Sequence, residues 1–259
     1  MVPNLAAAAC RGTGRDRTPR DGSRVVAAYV PDPDRCPANR QPNVGVGRTN
    51  PDVDRVAQPH APSIELRAAG VQRAWIVVRH RGDQIKALLG DGSGFGLELR
   101  YAEQPELDGS AGAVRAALAA GATPPLLISG ADTLFATGDV SRFVETVEGR
   151  GAPGAIAVRR DPPPAPPHRW ATRVDYGRVM RVLDDDPVNP LSGAPLWLLT
   201  PATAPYLEGL RGPPYELAAL FQRAVDDGLE IAGVEIGPTR DLTYPLDLVQ
   251  ENFTYLGSL

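Results

Sequence analysis

The sequence predicts an α/β fold in which a mixed, mostly parallel sheet is flanked by helices. Short apolar runs that suit buried strands alternate with helical patterns up to about residue 150, and a cluster of strand patterns with further helices follows. This alternation is typical of a sheet whose faces are covered by crossover helices. A chain of 259 residues is long enough to bury most of its apolar surface in one core. We therefore expect a single domain over residues 1–259.

Composition narrows the classes of partner. The net charge of -4 leaves no basic footprint for nucleic acid or for an anionic membrane surface. No apolar run approaches the length that crosses a bilayer. Cys10 and Cys36 are too few for a disulfide framework or a zinc site, and they suit a reducing compartment. We expect a cytoplasmic protein without a nucleic-acid or membrane partner.

The first 57 residues carry little regular pattern. Residues 2–9 predict a short first strand that runs into a loop at residues 11–15. Residues 25–30 form one further strand-like run, and the rest of the segment is rich in Arg, Pro, Asp, Asn and Gly. A structureless stretch of this length is uncommon inside a compact domain, so we regard the region as atypical.

From residue 62 the signals for helices and strands become regular. Residues 74–78 predict a buried strand, and the alternation of Leu97, Leu99 and Tyr101 predicts another. Helices are predicted at residues 63–69, 83–89 and 110–120. The second of these should direct Ile85, Leu88 and Leu89 inward.

The organising stretch is residues 126–135. A short apolar run closed by small residues reads as a strand buried on both faces, and Asp132 falls where that strand meets its loop. Open α/β sheets bind their ligands at this end of their strands. Because burying an unpaired carboxylate is costly, Asp132 should meet a cation, a group of donors or solvent. An Asp that caps the following turn is the alternative.

The second half predicts one amphipathic helix, a group of strands and two further helices. Val140, Phe143, Val144 and Val147 follow the spacing of a helix stripe that faces the core. Strands are predicted at residues 155–159, 172–175, 179–183, 195–200 and 229–236, with a stiff proline-rich excursion at 162–167. Helices are predicted at residues 216–227 and from Thr243 onward.

Four motifs occur in the order in which one enzyme family carries them. They are the strand at residues 70–78 with its entering Gly70, the Tyr-x-x-Gln and Gly-Ser-Ala segment at residues 101–111, the strand end at residues 131–135, and the Asp, Thr, Pro and Asp-Leu signature at residues 240–248. Together they make the chain resemble the sugar-1-phosphate nucleotidyltransferases, a glucose-1-phosphate thymidylyltransferase-like group. The resemblance covers the chain from about residue 59.

The resemblance implies a Rossmann-like fold of the nucleotide-diphospho-sugar transferase type. It divides the domain into an atypical nucleotide-loop region at 1–57, a nucleotide-binding half at 58–150 and a sugar-phosphate-binding half at 151–259. The implied reaction moves a nucleotidyl group from a nucleoside triphosphate to a sugar 1-phosphate and releases pyrophosphate. The triphosphate and the sugar phosphate would be its partners, and a homo-oligomer is compatible with the family.

Site residues follow from the same resemblance. Asp132 and Asp241 would share Mg²⁺, the usual agent for neutralising phosphates that must approach one another. A solvated acid before a helix is the alternative for Asp241. Gln104, Gly109 and Ser110 would bind the nucleotide, although Gln104 could merely leave a strand. Gly193 and Glu216 would contact the sugar, although the position of Glu216 at the start of a helix alone explains an acid.

The sequence departs from the family at two basic sites. The family's phosphate loop reads Gly-x-Gly-Thr-Arg and leads to a Lys; here Gly12, Thr13 and Arg15 stand in its place, Arg15 is one position late, and the Lys is absent. Where relatives have Glu-Lys-Pro near the sugar phosphate, this chain has acids at residues 184–186. Losing one preorganised donor typically costs about 100- to 1000-fold in rate.

Two alternatives follow from these departures, and a third is a separate enzyme class. The chain could be a catalytically impaired homologue that binds a nucleotide or a protein partner. Residues 10–57 could be scrambled or out of frame, and hence not a natural phosphate loop. A nucleotide-sugar glycosyltransferase is the third alternative, with an Asp-x-Asp metal motif at Asp184 to Asp186.

Overall fold

The computed structural model describes residues 24–29, 65–79, 82–160 and 171–241, of which 24–29 and Asp241 are described by their backbone alone. Several predictions fall outside these residues: the strand at 2–9, the loop at 11–15, the proline-rich segment at 162–167 and the last helix from Thr243.

Nine strands form one mixed sheet, and two short strands form a separate ladder. The large sheet has the order β3-β2-β1-β4-β9-β6-β10-β8-β7, and β11 pairs with β5. The strands are β1 Arg24–Tyr29, β2 Val71–Val78, β3 Glu98–Glu103, β4 Leu126–Gly130, β5 Thr133–Leu134, β6 Gly154–Arg160, β7 Arg173–Asp175, β8 Arg178–Arg181, β9 Leu191–Leu199, β10 Ala232–Ile236 and β11 Arg240–Asp241. The predicted α/β class with a mixed sheet is confirmed.

Helices cover both faces of the large sheet. They are α1 Gly82–Leu89, α2 Ser110–Ala119, α3 Asp139–Arg150 and α4 Leu217–Asp226, with 3₁₀ turns at Ser93–Phe95 and Ala204–Leu207 and a helical stretch at 65–68. Helices α2 and α4 pack together on one face. Helix α3 packs on the other face. No helix of the described ranges is long and apolar enough to cross a bilayer.

The apolar stripe of α3 lies where its spacing predicts. Val140, Phe143, Val144 and Val147 are all buried against the sheet, and Gly151 ends the helix in the left-handed conformation. The prediction for α1 is wrong at one position, because the side chain of Leu88 is 63% exposed. A helix of two turns at the rim of the sheet buries a narrower stripe than its sequence suggests.

Strand β1 lies inside the parallel half of the sheet, where the predicted strand-like run at residues 25–30 is found. Arg24–Tyr29 pairs in parallel with β2 on one side and with β4 on the other. The predicted strand at 2–9 and phosphate loop at 11–15 precede β1 in the sequence and stay predictions, because they lie outside the described residues.

Strand β9 joins the two halves of the sheet. It runs antiparallel to β4 and to β6, and it begins at Leu191, four residues before the predicted start at Pro195. The register with β6 shifts in the region of Pro195. A proline has no N–H to donate, so an interior strand accommodates it at such an irregularity.

Candidate active site

The carboxyl ends of the strands that carry the predicted site residues meet at one edge of the sheet. Strands β1 to β4 are parallel, and β6 is parallel to β4 because both are antiparallel to β9 between them. Strand β10 is in turn parallel to β6. Residues that follow β3, β4, β6 and β10 therefore leave the sheet on the same side, where open α/β sheets form their ligand crevices.

The backbones of Asp132 and Asp241 are neighbours at this edge. Asp132 lies in the turn after β4, and the next residue, Thr133, pairs with Asp241 across the β5–β11 ladder. This pairing brings the two Cα atoms within about 9 Å. The side chain of Asp132 is partly exposed, and its Oδ1 folds back to 3.1 Å from where a Cβ on Gly130 would stand.

Gln104 follows β3 and is held by its own loop. Its side chain is only 3% exposed, and its Nε2 donates to Oδ1 of Asp108 at 2.7 Å and to the carbonyl oxygen of Gly109 at 3.1 Å. Both amide hydrogens therefore have protein acceptors. Since Nε2 has these bonds, Oε1 is the atom that could accept a hydrogen bond from a ligand. The role of Asp108 was not predicted from the sequence.

Two glycines let this loop close against its neighbours. Gly109 has φ +108°, and a Cβ there would stand 2.3 Å from the carbonyl oxygen of Tyr215. A Cβ on Gly112 would stand 1.8 Å from Oδ1 of Asp108, the same atom that accepts from Gln104. The spacing Gly-x-x-Gly is the sequence signal for this arrangement.

Ser110 and Glu216 contact each other across the first turns of two helices. The hydroxyl of Ser110 donates to Oε2 of Glu216 at 2.6 Å and accepts from the backbone N–H of Leu217 at 2.9 Å. The backbone N–H of Ser110 lies 3.4 Å from the same Oε2. The two residues that we predicted for nucleotide and sugar binding are thus brought together, and their described bonds join the two halves of the site.

Tyr101 and Gly193 complete the described part of the predicted site. The hydroxyl of Tyr101 donates to the carbonyl oxygen of Gly90 at 2.6 Å, which ties β3 to the end of α1. Gly193 pairs with Val158, and it lies three residues before Leu196, the partner of Ser129 in the antiparallel β4. Its position along β9 is therefore toward the edge where Asp132 lies.

The acidic run at 184–186 is engaged by the protein itself. The side chain of Asp184 is 1% exposed and accepts from Nδ2 of Asn189 at 2.9 Å, and Arg173 forms ion pairs with both Asp184 and Asp186 at 3.2 and 3.3 Å. Desolvation raises the pKa of Asp184, but the hydrogen bonds from Asn189 and Arg173 outweigh it and hold the pKa below its ordinary value. These contacts tie a loop to the β7–β8 hairpin and disfavour a metal motif here.

The remaining predicted residues lie outside the described part of the chain. They are Gly12, Thr13 and Arg15 of the predicted phosphate loop. Among the residues whose side chains are described, no three His, Cys, Asp or Glu side chains form a group that could hold a metal ion. A pair of carboxylates completed by water and phosphate oxygens does not require such a group.

Comparison with known proteins gives one family match. Residues 60–168 match the family model described as nucleotidyl transferase. The low-salt glycan biosynthesis nucleotidyltransferase Agl11 of Haloferax volcanii is 27% identical over 196 residues, which cover 73% of this chain and 54% of that protein. The chain thus spans about half the length of this relative.

Solved structures share the fold over nearly the whole chain. A UDP-glucose pyrophosphorylase complexed with UDP-glucose superposes with a TM-score of 0.70 at 11% identity, covering 92% of this chain and 99% of the other. A putative glucose-1-phosphate thymidylyltransferase from Bacillus anthracis superposes with a TM-score of 0.68 at 17% identity, covering 90% of this chain and 94% of the other. The inositol-1-phosphate CTP transferase from T. maritima superposes with a TM-score of 0.66 at 16% identity, covering 91% of this chain and 96% of the other. The fold is therefore that of sugar nucleotidyltransferases.

Proposed function

We propose that this chain, whose residues 60–168 match the nucleotidyl transferase family model, transfers a nucleotidyl group from a nucleoside triphosphate to a sugar 1-phosphate. The products are a nucleotide sugar and pyrophosphate. The observation that carries the proposal is the pairing of Thr133 with Asp241, because it joins two acid-bearing strand ends that lie more than a hundred residues apart in the chain.

Mg²⁺ fits the residue types, two aspartates, that the ladder brings to this edge. Carboxylate oxygens are the protein ligands that Mg²⁺ prefers, and the ion binds through one or two of them while keeping water and substrate phosphates. Asp132 and Asp241 would hold it. When bound, the ion neutralises the phosphate oxygens that must approach each other. The turn at Asp132 and the pairing of Thr133 with Asp241 bring the backbones of the two acids to the same place.

Recognition of the nucleotide falls to the loop after β3. With its Nε2 bonded to Asp108 and Gly109, Gln104 offers Oε1 to a donor on the edge of the base. Gly109 and Ser110 open α2 directly beside it. The amide is thus oriented before a nucleotide arrives, which lowers the entropy cost of binding.

The acceptor sugar would lie between β9 and the start of α4. Glu216 contributes a carboxylate oxygen that hydroxyl groups could donate to, and Gly193 lets a ring approach the backbone. Arg159, near the end of β6, supplies positive charge at the same edge, whereas the charge of Arg160 is paired with Glu235 at 3.2 Å. We also propose a cytoplasmic location, the compartment that the two cysteines suit.

A second candidate, a homologue with impaired catalysis, is favoured by the loop at 184–186. At the place where relatives carry a Lys, Asp184 and Asp186 are both paired with Arg173. This pairing cancels the positive charge that would attract a phosphate. Such a protein would bind a nucleotide without turning it over.

A pyrophosphate-release assay separates the two candidates. The purified protein is mixed with each common nucleoside triphosphate and a set of hexose 1-phosphates, with and without Mg²⁺. Release that needs both substrates and Mg²⁺, and that Asp132→Asn abolishes, supports transfer. Thermal protection by one nucleotide without any release supports the impaired homologue, and neither response would refute both.

A further inference from the structure

The segment at 237–241 is held by side chains from two other elements. The backbone N–H of Gly237 donates to Oδ2 of Asp139 at 2.9 Å, and Oδ1 of the same carboxylate accepts from Arg142 at 2.7 Å. The guanidinium of Arg159 donates to Oγ1 of Thr239. This segment leads from the end of β10 directly into Asp241.

The hydrogen bond between Asp139 and Gly237 is not needed to form helix α3. Its side chain is buried, with 3% exposure, although most acids at helix starts are solvated. An acid in the first turn is favourable to α3 through the helix dipole, and one exposed carboxylate would serve that purpose. Here the carboxylate also binds an amide 98 residues away. A Cβ on Gly237 would stand 2.9 Å from Oδ2, so glycine permits the approach.

The ladder that carries Asp241 is too short to hold its own register. Strands β5 and β11 contribute two residues each, Thr133–Leu134 and Arg240–Asp241. A two-stranded ladder is marginal in water even at greater length. Ligands that share a Mg²⁺ ion must be held at oxygen distances of about 2.0–2.1 Å, and a loosely held ligand weakens such a site.

We propose that Asp139 and Arg159 are positioning residues that fix the segment 237–241 and thereby hold Asp241 beside Asp132 for binding a shared divalent cation. The inference rests on the proposed function, since it assigns a role toward that metal site. Neither side chain needs to touch the ion. Each acts through the backbone or hydroxyl group that it binds on the segment.

Mn²⁺ binding, measured by electron paramagnetic resonance, tests the inference without relying on turnover. Asp139→Ala removes the acceptor of the Gly237 amide, and Thr239→Val removes the partner of Arg159 while leaving α3 unchanged. Each variant should bind Mn²⁺ about 10- to 100-fold more weakly, the usual effect of losing a residue that orients a metal ligand. Amide hydrogen exchange at Gly237 should become faster in Asp139→Ala.

Arg150→Ala is the matched control. Its guanidinium also tethers a backbone carbonyl, that of Gly177 at 2.7 Å, but from the opposite end of α3. It should leave Mn²⁺ binding and exchange at Gly237 unchanged. If Asp139→Ala fails to fold, Asp139→Asn replaces it. Asparagine has one side-chain oxygen, so it cannot offer a separate acceptor to both the Gly237 amide and Arg142.

The outcomes separate this inference from the function on which it rests. Parent-like Mn²⁺ affinity in both Asp139→Ala and Thr239→Val overturns the positioning role, while loss of binding in Asp132→Asn still supports the metal site. Absence of Mn²⁺ binding by the parent, or parent-like binding by Asp132→Asn, overturns the metal site and the positioning role together.

Discussion

The hydroxyl of Ser110 donates to Oε2 of Glu216 at 2.6 Å, although the two residues are 106 positions apart in the chain. The same hydroxyl accepts from the N–H of Leu217, so a serine at the start of α2 caps α4. This contact joins the nucleotide-binding half of the proposed site to the sugar-binding half. A substitution in the nucleotide-binding half should therefore also affect the sugar-binding half.

Ser110→Ala should destabilise the protein by about 1–2 kcal/mol, because the N–H of Leu217 loses its acceptor and Glu216 loses a donor. Urea denaturation measures the change in the free energy of unfolding. Ser110→Thr keeps the hydroxyl and is the matched control. Equal stability of Ser110→Ala and the parent would show that the contact contributes little.

Asp132→Asn should lower the rate of nucleotidyl transfer at least about 100-fold, since several kcal/mol of charge stabilisation are lost with a metal ligand. Nucleotide binding through Gln104 should survive, because that side chain is held by Asp108 and Gly109. Pyrophosphate release and nucleotide titration measure the two effects. A variant that keeps the parent rate would remove Asp132 from the site.

Gly112→Ala should weaken nucleotide binding while changing stability little. The new Cβ would meet Oδ1 of Asp108 at 1.8 Å and push it from Gln104, which should cost about tenfold in affinity, the worth of one hydrogen bond. Alanine at the same time gains helix propensity. Titration calorimetry with the preferred nucleoside triphosphate measures the affinity.

Gly149→Ala is the control for the preceding variant. Gly149 lies inside α3, and a Cβ there would meet nothing within 4 Å. We expect it to raise the free energy of unfolding by about 0.4–1 kcal/mol with unchanged nucleotide affinity. Parent-like affinity in Gly112→Ala would mean that Asp108 does not orient Gln104.

The contacts of Asp184 should make stability depend on pH in acid. The pKa of Asp184 is lowered in the folded protein from its ordinary 3.8, so its stabilising contribution is present above pH 3.8. It is lost as the pH falls below that value through the lowered folded pKa. The difference in Tm between the parent and Asp184→Asn should therefore shrink on acidification. A difference that stays constant between about pH 6 and pH 3 would contradict this assignment.

Local patterns predicted most of the elements from residue 65 onward. Helix α3 was predicted from the apolar stripe between Val140 and Val147, because a helix buried on one face repeats its apolar residues with the helical period. Strand β4 was predicted from the run between Leu126 and Ser129, because a strand buried on both faces is continuously apolar. Strand β1 was recognised as strand-like, but its place in the sheet was not predicted. Its sequence carries no signal for which neighbours it pairs with.

The contacts that build the candidate site were beyond the reach of local patterns. The spacing of Gly109 and Gly112 signals a close approach, but the hydrogen bond from Gln104 to Asp108 has no periodic signature. Ser110 meets Glu216, and Gly237 meets Asp139, across about a hundred residues. The position of Asp132 could be predicted, since a carboxylate at the end of a buried strand is costly unless it meets a cation, donors or water. That Asp241 belongs to the same site was predicted only from the family resemblance.

The antiparallel strand β9 has a consequence for dissecting the protein. Cutting the chain near residue 150 would leave β4 on one fragment and both β6 and β9 on the other, and the first fragment would expose the edge that β9 now covers. Such a fragment should aggregate when expressed alone and recover only when its complement is supplied. Heating the intact protein should correspondingly give one cooperative transition, with no separate melting of either half.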